Sequence, residues 1–248
     1  MKNILLIFTS FVLTSCAVKN YYQIYKATAE NGVVEKDQIV FESKDCSVYY
    51  YLWNEGGNIG FKIYNKTESD MIVDLRKTFF ILNGVANEYF QNREFSTSSS
   101  SAYSHYYSYR AIPISGSTSS NSSGVTIIEK PEITIPAKTK VNISEYIVTG
   151  TRYINCDLKR LPTNNSTNNT LKFDRSNSPF IFSNLITYRI KGDSTRIENK
   201  FYINEVTNYP QSKVFKEIEL NKCGKRYEVP KKVFNDSLPD RFYIRYSK

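Results

Sequence analysis

Between Ile59 and Phe90 the chain alternates apolar and polar residues with a period of two and breaks the alternation only at turn sequences. That pattern commits it to short antiparallel strands. Ile59, Phe61 and Ile63 interleave with Gly60, Lys62 and Tyr64, and Met71, Val73 and Leu75 interleave with Ile72 and Asp74. Such spacing puts one set of side chains on a buried sheet face and the other toward solvent. Glu55-Gly56-Gly57-Asn58 turns the chain before the first of these strands, and Asn65-Lys66-Thr67-Glu68 turns it after. Thr78 to Leu82 and Val85 to Phe90 flank Asn83-Gly84, a dipeptide suited to a type I′ hairpin because both central residues need positive φ. Consecutive strands at this spacing predict a sandwich or barrel rather than parallel βαβ units.

The same signals recur along the chain. Val40-Phe41 leads into an aromatic run from Cys46 to Trp53, which reads as a buried strand. Further strands are predicted at Val125 to Ile128, Glu132 to Ile135 and Val141 to Val148. They continue at Phe180 to Phe182, Leu185 to Ile190, Arg196 to Val206 and Phe242 to Tyr246. Gly192-Asp193 is the expected turn between the two long ones. Thr163 to Thr170, rich in Asn, Thr and Ser, reads as a loop. The single helix candidate is Pro210 to Asn221, with Pro at its first turn and Gly224 just past its end, although the same residues also suit a strand. Twenty tyrosines and 15 phenylalanines against one tryptophan, with Asn, Ser and Thr between, favour strands and turns.

The segment 96–124 interrupts the alternation. It is serine-rich at both ends and holds Tyr103, His105, Tyr106, Tyr107 and Tyr109 between them. Polar low-complexity flanks bury too little apolar area to offset their ordering entropy, so a mobile loop with an aromatic tip is expected, the alternative being that the tyrosine centre extends the preceding hairpin as a β-ribbon. A loop of that kind is a natural place for ligand or partner contact by Tyr103, Tyr106, Tyr107 and Tyr109.

The first 16 residues carry an address. Met1-Lys2-Asn3 precedes the apolar run Ile4 to Leu13, and Thr14-Ser15 leads to Cys16. A basic start, a short apolar core and small residues before a cleavage point form a secretory signal peptide. With cysteine next, the pattern resembles the lipobox of bacterial lipoproteins, which implies cleavage after residue 15 and lipidation of Cys16. Residues 16–26 are then expected to form a lipidated tether, with docking of Tyr21, Tyr22, Ile24 and Tyr25 on the domain as the alternative, and 27–248 the β domain. Ala17-Val18 lacks the aspartate that retains enteric lipoproteins in the inner membrane, and lacks the acidic export cluster of some Gram-negative phyla. The resemblance therefore implies an outer-membrane lipoprotein facing the periplasm.

That location frames the charge and the cysteines. The chain carries a net charge of +9, which falls to +8 without Lys2. Outside the cytoplasm such a surface meets lipid headgroups, lipopolysaccharide phosphates and acidic glycans rather than nucleic acid. A modest basic cluster stands at Lys222, Lys225, Arg226, Lys231 and Lys232. With Cys16 lipidated, Cys46, Cys156 and Cys223 permit at most one internal bridge, whose connectivity the spacing leaves open. Asp193-Ser194-Thr195 and Asp236-Ser237-Leu238 match the Asp-Ser/Thr-x signal for O-glycosylation of exported proteins, which marks Ser194 and Ser237.

Asn65-Lys66-Thr67, Ile72-Val73-Asp74-Leu75 and Phe79-Phe80-Ile81-Leu82-Asn83-Gly84 resemble the front half of immunoglobulin-like envelope modules. Ile133-Thr134-Ile135-Pro136-Ala137-Lys138-Thr139 is similar to their "isoleucine-proline-proline-lysine-serine" strand entry, with alanine and threonine as departures. The chain as a whole resembles lipoproteins of Gram-negative bacteria with such a domain. The resemblance implies an all-β fold, an immunoglobulin-like antiparallel β-sandwich with a long Ser/Tyr-rich insertion and at most one or two short helices. It supplies no catalytic residues.

Enzymatic chemistry is not expected. The only histidine, His105, lies in the segment expected to be mobile, and there is no G-x-S-x-G elbow to present a nucleophile. No cysteine–histidine spacing suits a metal, no glycine loop suits a phosphate, and no cofactor is expected. The expectation is a lipid-anchored, non-enzymatic envelope protein serving structure or protein interaction, its partners being the membrane and an envelope protein. A glycan-binding lipoprotein using the aromatic segment 103–109 is the alternative.

Overall fold

A computed structural model describes residues 19–109, 112–167, 169–222 and 225–248, and these form an all-β sandwich. The larger sheet has nine strands. Its main path runs β11 (Glu132–Ile135), β6 (Met71–Asp74), β14 (Ile181–Ile190), β15 (Asp193–Pro210), β1 (Asn20–Glu30) and β18 (Arg241–Ser247). β13 (Thr170–Lys172) joins β15, while β7 (Phe79–Leu82) bridges β14 and β8 (Val85–Glu88). The smaller sheet orders β12 (Lys140–Ile143), β5 (Phe61–Asn65), β4 (Cys46–Tyr50), β3 (Ile39–Glu42) and β2 (Val33–Val34). Two separate ribbons complete the fold: β9 (Glu94–Tyr109) with β10 (Ile112–Ile128), and β16 (Phe215–Lys222) with β17 (Lys225–Phe234). All strand pairings are antiparallel. Among the described residues, helix is confined to one turn of α1 (Gln211–Val214) and a 3₁₀ turn at Leu75–Lys77.

The alternation read from the sequence sets the core. Ile59, Phe61, Ile63, Met71 and Val73 are at most 1% exposed, whereas Lys62 points to solvent. Phe201 of β15 stacks on Phe182 of β14 at 5.2 Å and meets Phe41 and Tyr50 of the opposite sheet edge-on at 5.3 and 5.1 Å. Each fully buried side chain of this size stabilises the fold by about 1.5–3 kcal/mol. The Tyr50 hydroxyl, sunk in this layer, accepts hydrogen bonds from Asn199 at 2.8 Å and Asn184 at 3.3 Å. Asn184 in turn donates to the Ile59 carbonyl and accepts from Tyr89. A polar stitch thus crosses the sandwich where apolar contact alone would leave the sheets free to slide.

Asn65 explains the Asn-Lys-Thr turn. It is fully buried at the end of β5, and its Nδ2 donates to the carbonyls of Ser69 (2.8 Å), Ile135 (3.1 Å) and Pro136 (3.3 Å). Its Oδ1 accepts from the Thr67 backbone N–H and hydroxyl. One side chain closes its own turn and ties the smaller sheet to the chain leaving β11 in the larger.

Four expectations need correction. In the segment 16–26, expected as a tether that either hangs free or docks by its aromatic residues, the chain from Asn20 is already in β1, flanked on both sides by β15 and β18. Tyr21, Tyr22, Gln23 and Tyr25 are all buried. Segment 96–124 takes the β-ribbon alternative, extended to its serine-rich flanks, rather than a mobile loop. Its backbone pairs in register from Glu94↔Ile128 to Tyr109↔Ile112, with one irregularity between Pro113 and Ser115. The helix expected at Pro210 to Asn221 is one turn, after which the chain extends into β16, the strand alternative for those residues. The β14–β15 turn falls one residue earlier than expected, at Lys191 (φ 52°) and Gly192 (φ 96°). The other hairpin is as read, with Asn83 at φ 48° and Gly84 at φ 84°. Cys46 is buried, Cys156 is exposed and neither is bridged. Cys223 lies outside the described residues.

Two measurements test this account. Asn65→Ala removes the donor to three carbonyls, through one buried and two part-buried contacts, so urea unfolding should show a loss of about 3 kcal/mol. Burial raises the hydroxyl pKa values of Tyr25, Tyr50, Tyr89 and Tyr188 above the ordinary 10. The unfolded chain therefore releases these protons first, so their contribution is intact below pH 10 and declines as pH rises toward the folded values. Urea midpoints should fall above pH 10, less steeply in Tyr50→Phe than in the parent.

Candidate functional site

A concavity lies where the β16–β17 ribbon is fastened to the outer face of the larger sheet. Phe215 and Phe234 stand opposite each other at the ribbon's base, 4.4 Å apart, and both meet the ring of Tyr22 on β1. Trp53, from the connection between β4 and β5, joins the cluster edge-on to Phe234 at 4.9 Å and tilted against Tyr243 at 5.3 Å. Aromatic contacts of this geometry add about 0.5–1.5 kcal/mol each beyond their buried area.

Beside this cluster opens a cavity of about 160 Å³. Ile24 and Lys26 of β1 and Glu205 and Thr207 of β15 line it, with Trp53, Val214 of α1 and Arg241 at the start of β18. The strand register brings these together, since Ile24 pairs with Thr207 and Lys26 with both Glu205 and Arg241. A volume of this size equals about five water molecules, enough for one small polar moiety and too little for an extended chain.

The lining carries three cations, Lys26, Lys213 and Arg241, against Glu205 and Asp236. Arg241 is incompletely engaged. Its Nη1 lies 3.9 Å from Asp236, and its Nε is buried without a hydrogen-bond partner. An orphaned buried donor costs about 1–3 kcal/mol, so an acceptor entering the cavity recovers that penalty. The arrangement is suited to holding a group that offers an apolar face to Trp53 and an oxygen to Arg241. The most perturbed hydroxyls stand elsewhere. Tyr50 and Tyr89 meet the amide of Asn184 in the core, and Tyr25 meets that of Gln23.

The residues singled out from the sequence are scattered. Cys16 and the segment 1–15 expected to be a signal peptide lie outside the described residues. Tyr103, Tyr106, Tyr107 and Tyr109 fall on β9, opposite Ser119, Gly116, Ser115 and Ile112 of β10. Ser194 and Ser237 are both exposed, the first just after the Lys191-Gly192 turn and the second beside Asp236. The basic cluster from Lys222 to Lys232 lies on the β16–β17 ribbon. Sequence reasoning missed Trp53 and Arg241, because the cavity gathers residues from five separated stretches. The only available signal was the single tryptophan at the end of an aromatic run and just before a Gly-Gly turn. Among the described residues, no group of three His, Cys, Asp or Glu side chains is placed to hold a metal. No protein-family model, curated protein or solved structure matches the chain.

Trp53→Ala should unfasten the ribbon before it unfolds the sandwich. Expected are faster amide exchange across 215–218 and 231–234 and a stability loss of about 2 kcal/mol, with Trp53→Phe close to the parent.

Proposed function

We propose that the protein is a lipid-anchored, non-enzymatic module of the bacterial cell envelope, attached through Cys16 to the outer membrane, facing the periplasm, and serving structure or protein interaction. One observation carries this reading. β1 begins at Asn20, four positions beyond Cys16, and is an inner strand of the larger sheet. A domain whose inner strand starts at its attachment point is held against its support rather than swung on a leash. The β9–β10 ribbon adds to the reading. Strands of 16 and 17 residues extend about 50 Å, and among the described strands they pair only with each other. Unpaired backbone edges of that length suit strand addition by a partner protein. The test is metabolic labelling with palmitate. Label should enter the parent and be absent from Cys16→Ala, and label that persists in the variant would reject the anchor.

The Trp53 cavity favours a second reading, a glycan-binding lipoprotein. A sugar ring presents a C–H face for the indole and hydroxyl or carboxylate oxygens for Arg241. This reading expects glycan-array binding that is lost in Trp53→Ala. Loss in the Tyr106→Ala, Tyr107→Ala double variant instead would move the site to β9.

A further inference from the structure

The end of the sandwich at which β1 begins carries an excess of unpaired positive charge. Lys19, Arg152, Lys159, Arg160, Lys213 and Lys248 stand around it, and none forms an ion pair among the described residues. The register explains why they converge. Asn20 lies opposite Ser247, and Tyr21 lies opposite both Tyr246 and Pro210, so the start of β1, the close of β18 and the entry to α1 share one edge. Arg245 belongs to the same end, with Glu55 accepting its backbone N–H; the other acids near these cations are Asp157 and, in the cavity that Lys213 also lines, Glu205 and Asp236.

The segment 152–160, which supplies half of those cations, is held in place by buried polar groups. Gln23 of β1 donates from Nε2 to the Tyr153 carbonyl at 3.0 Å and accepts the Tyr153 N–H at 2.7 Å. The Tyr25 hydroxyl also donates to Gln23 and accepts from the Tyr153 N–H at 2.9 Å. Asn208 donates to the Lys159 carbonyl, and the Tyr246 hydroxyl donates to that of Arg160. The Arg152 guanidinium lies over the Tyr246 ring, 4.9 Å from its centre. Ile154 of this segment is 76% exposed, more than Val33 and Val85 at 64%. A fixed basic rim around an exposed apolar side chain is the composition of a surface that sits on lipid headgroups.

We propose that this end of the sandwich is a docking surface for the phosphates of anionic phospholipid in the leaflet that holds the anchor. The inference rests on the proposed lipidation for its geometry. Lys19 can lie no more than about 11 Å from Cys16, even with the chain fully extended. That is close to the screening length of about 8–10 Å at physiological ionic strength, so an acyl group at Cys16 brings the rim within range of the headgroups. Charge complementarity selects phosphate, and Ile154 then enters the headgroup layer. The acyl chains set which end faces the bilayer, and the basic rim holds that end flat against it.

The experiment is vesicle flotation of the mature-length chain, residues 16–248, carrying Cys16→Ser and hence no acyl group. It should float with equimolar phosphatidylcholine and phosphatidylglycerol, but not with phosphatidylcholine alone, and molar salt should release it. Reversing Lys159 and Arg160 together to Glu should lower the bound fraction by about tenfold or more at limiting lipid. Reversing Lys62 and Lys140 on the outer face of the smaller sheet should leave it unchanged, with near-ultraviolet circular dichroism confirming that both double variants fold. Equal flotation with the two vesicle types, or equal losses in the two double variants, would overturn the proposal. Palmitate labelling judges the anchor separately, since the unacylated chain gives the flotation result whichever way the labelling falls.

Discussion

The hydrogen bonds around the Tyr50 hydroxyl are the constraint on which the sandwich depends. Two apolar faces rich in Phe, Tyr and Ile attract each other in many relative positions, because the hydrophobic effect is non-directional. The amides of Asn184 and Asn199 on the larger sheet reach one oxygen on the smaller, and Asn184 also meets the Ile59 carbonyl and the Tyr89 hydroxyl. These bonds are short-ranged and directional, and breaking them in a buried layer strands several polar groups at once. Asn65 applies the same device at the edge, joining the end of β5 to the turn beyond β11. Buried asparagines here fix the position of two sheets whose aromatic faces supply most of the attraction.

Much of the fold was legible because its signals are local. Ile59 to Leu75 alternate, and Asn83-Gly84 needs only four residues to specify its turn. What was illegible depends on the third dimension. β1 reads as a tether because it lacks alternation. Tyr21 and Tyr25 are buried, but Tyr22 is also covered, from the outer face, by Phe215 and Phe234. A strand covered on both faces loses the period of two. Segment 96–124 reads as a loop because serine carries no strand signature, although two such stretches pair residue for residue. Pro210 and Gly224 fall where a helix would start and stop, yet the residues between them also suit a strand, and they continue as β16.

The candidate site was the least legible part, for a related reason. One tryptophan in 248 residues counts against sugar stacking when it is only counted. Placed in the fold, it stands beside Arg241, 188 positions away in the sequence, and no local pattern connects the two. The tyrosines of 103–109 stood out because they are neighbours in sequence. The cavity and the basic end are instead made by register. β1 lies between β15 and β18, which carries Lys26 to Arg241 and brings Lys19 to the level of Lys248.

The pairing of β1 also determines how the chain can fold. Its two partners are β15 and β18, so Asn20 finds its neighbour only when Ser247 has arrived. β1, the earliest of the described strands along the chain, is among the last to be satisfied, and it waits with both backbone edges and the side chains of Tyr21, Tyr22, Tyr25 and Ala27 uncovered. Closing contacts between residues more than two hundred positions apart is slow, and an uncovered strand of this kind recruits other chains. Folding of the sandwich therefore ends, rather than begins, at β1, and a chaperone's main task would be to shield eleven residues until the seven-residue β18 is delivered.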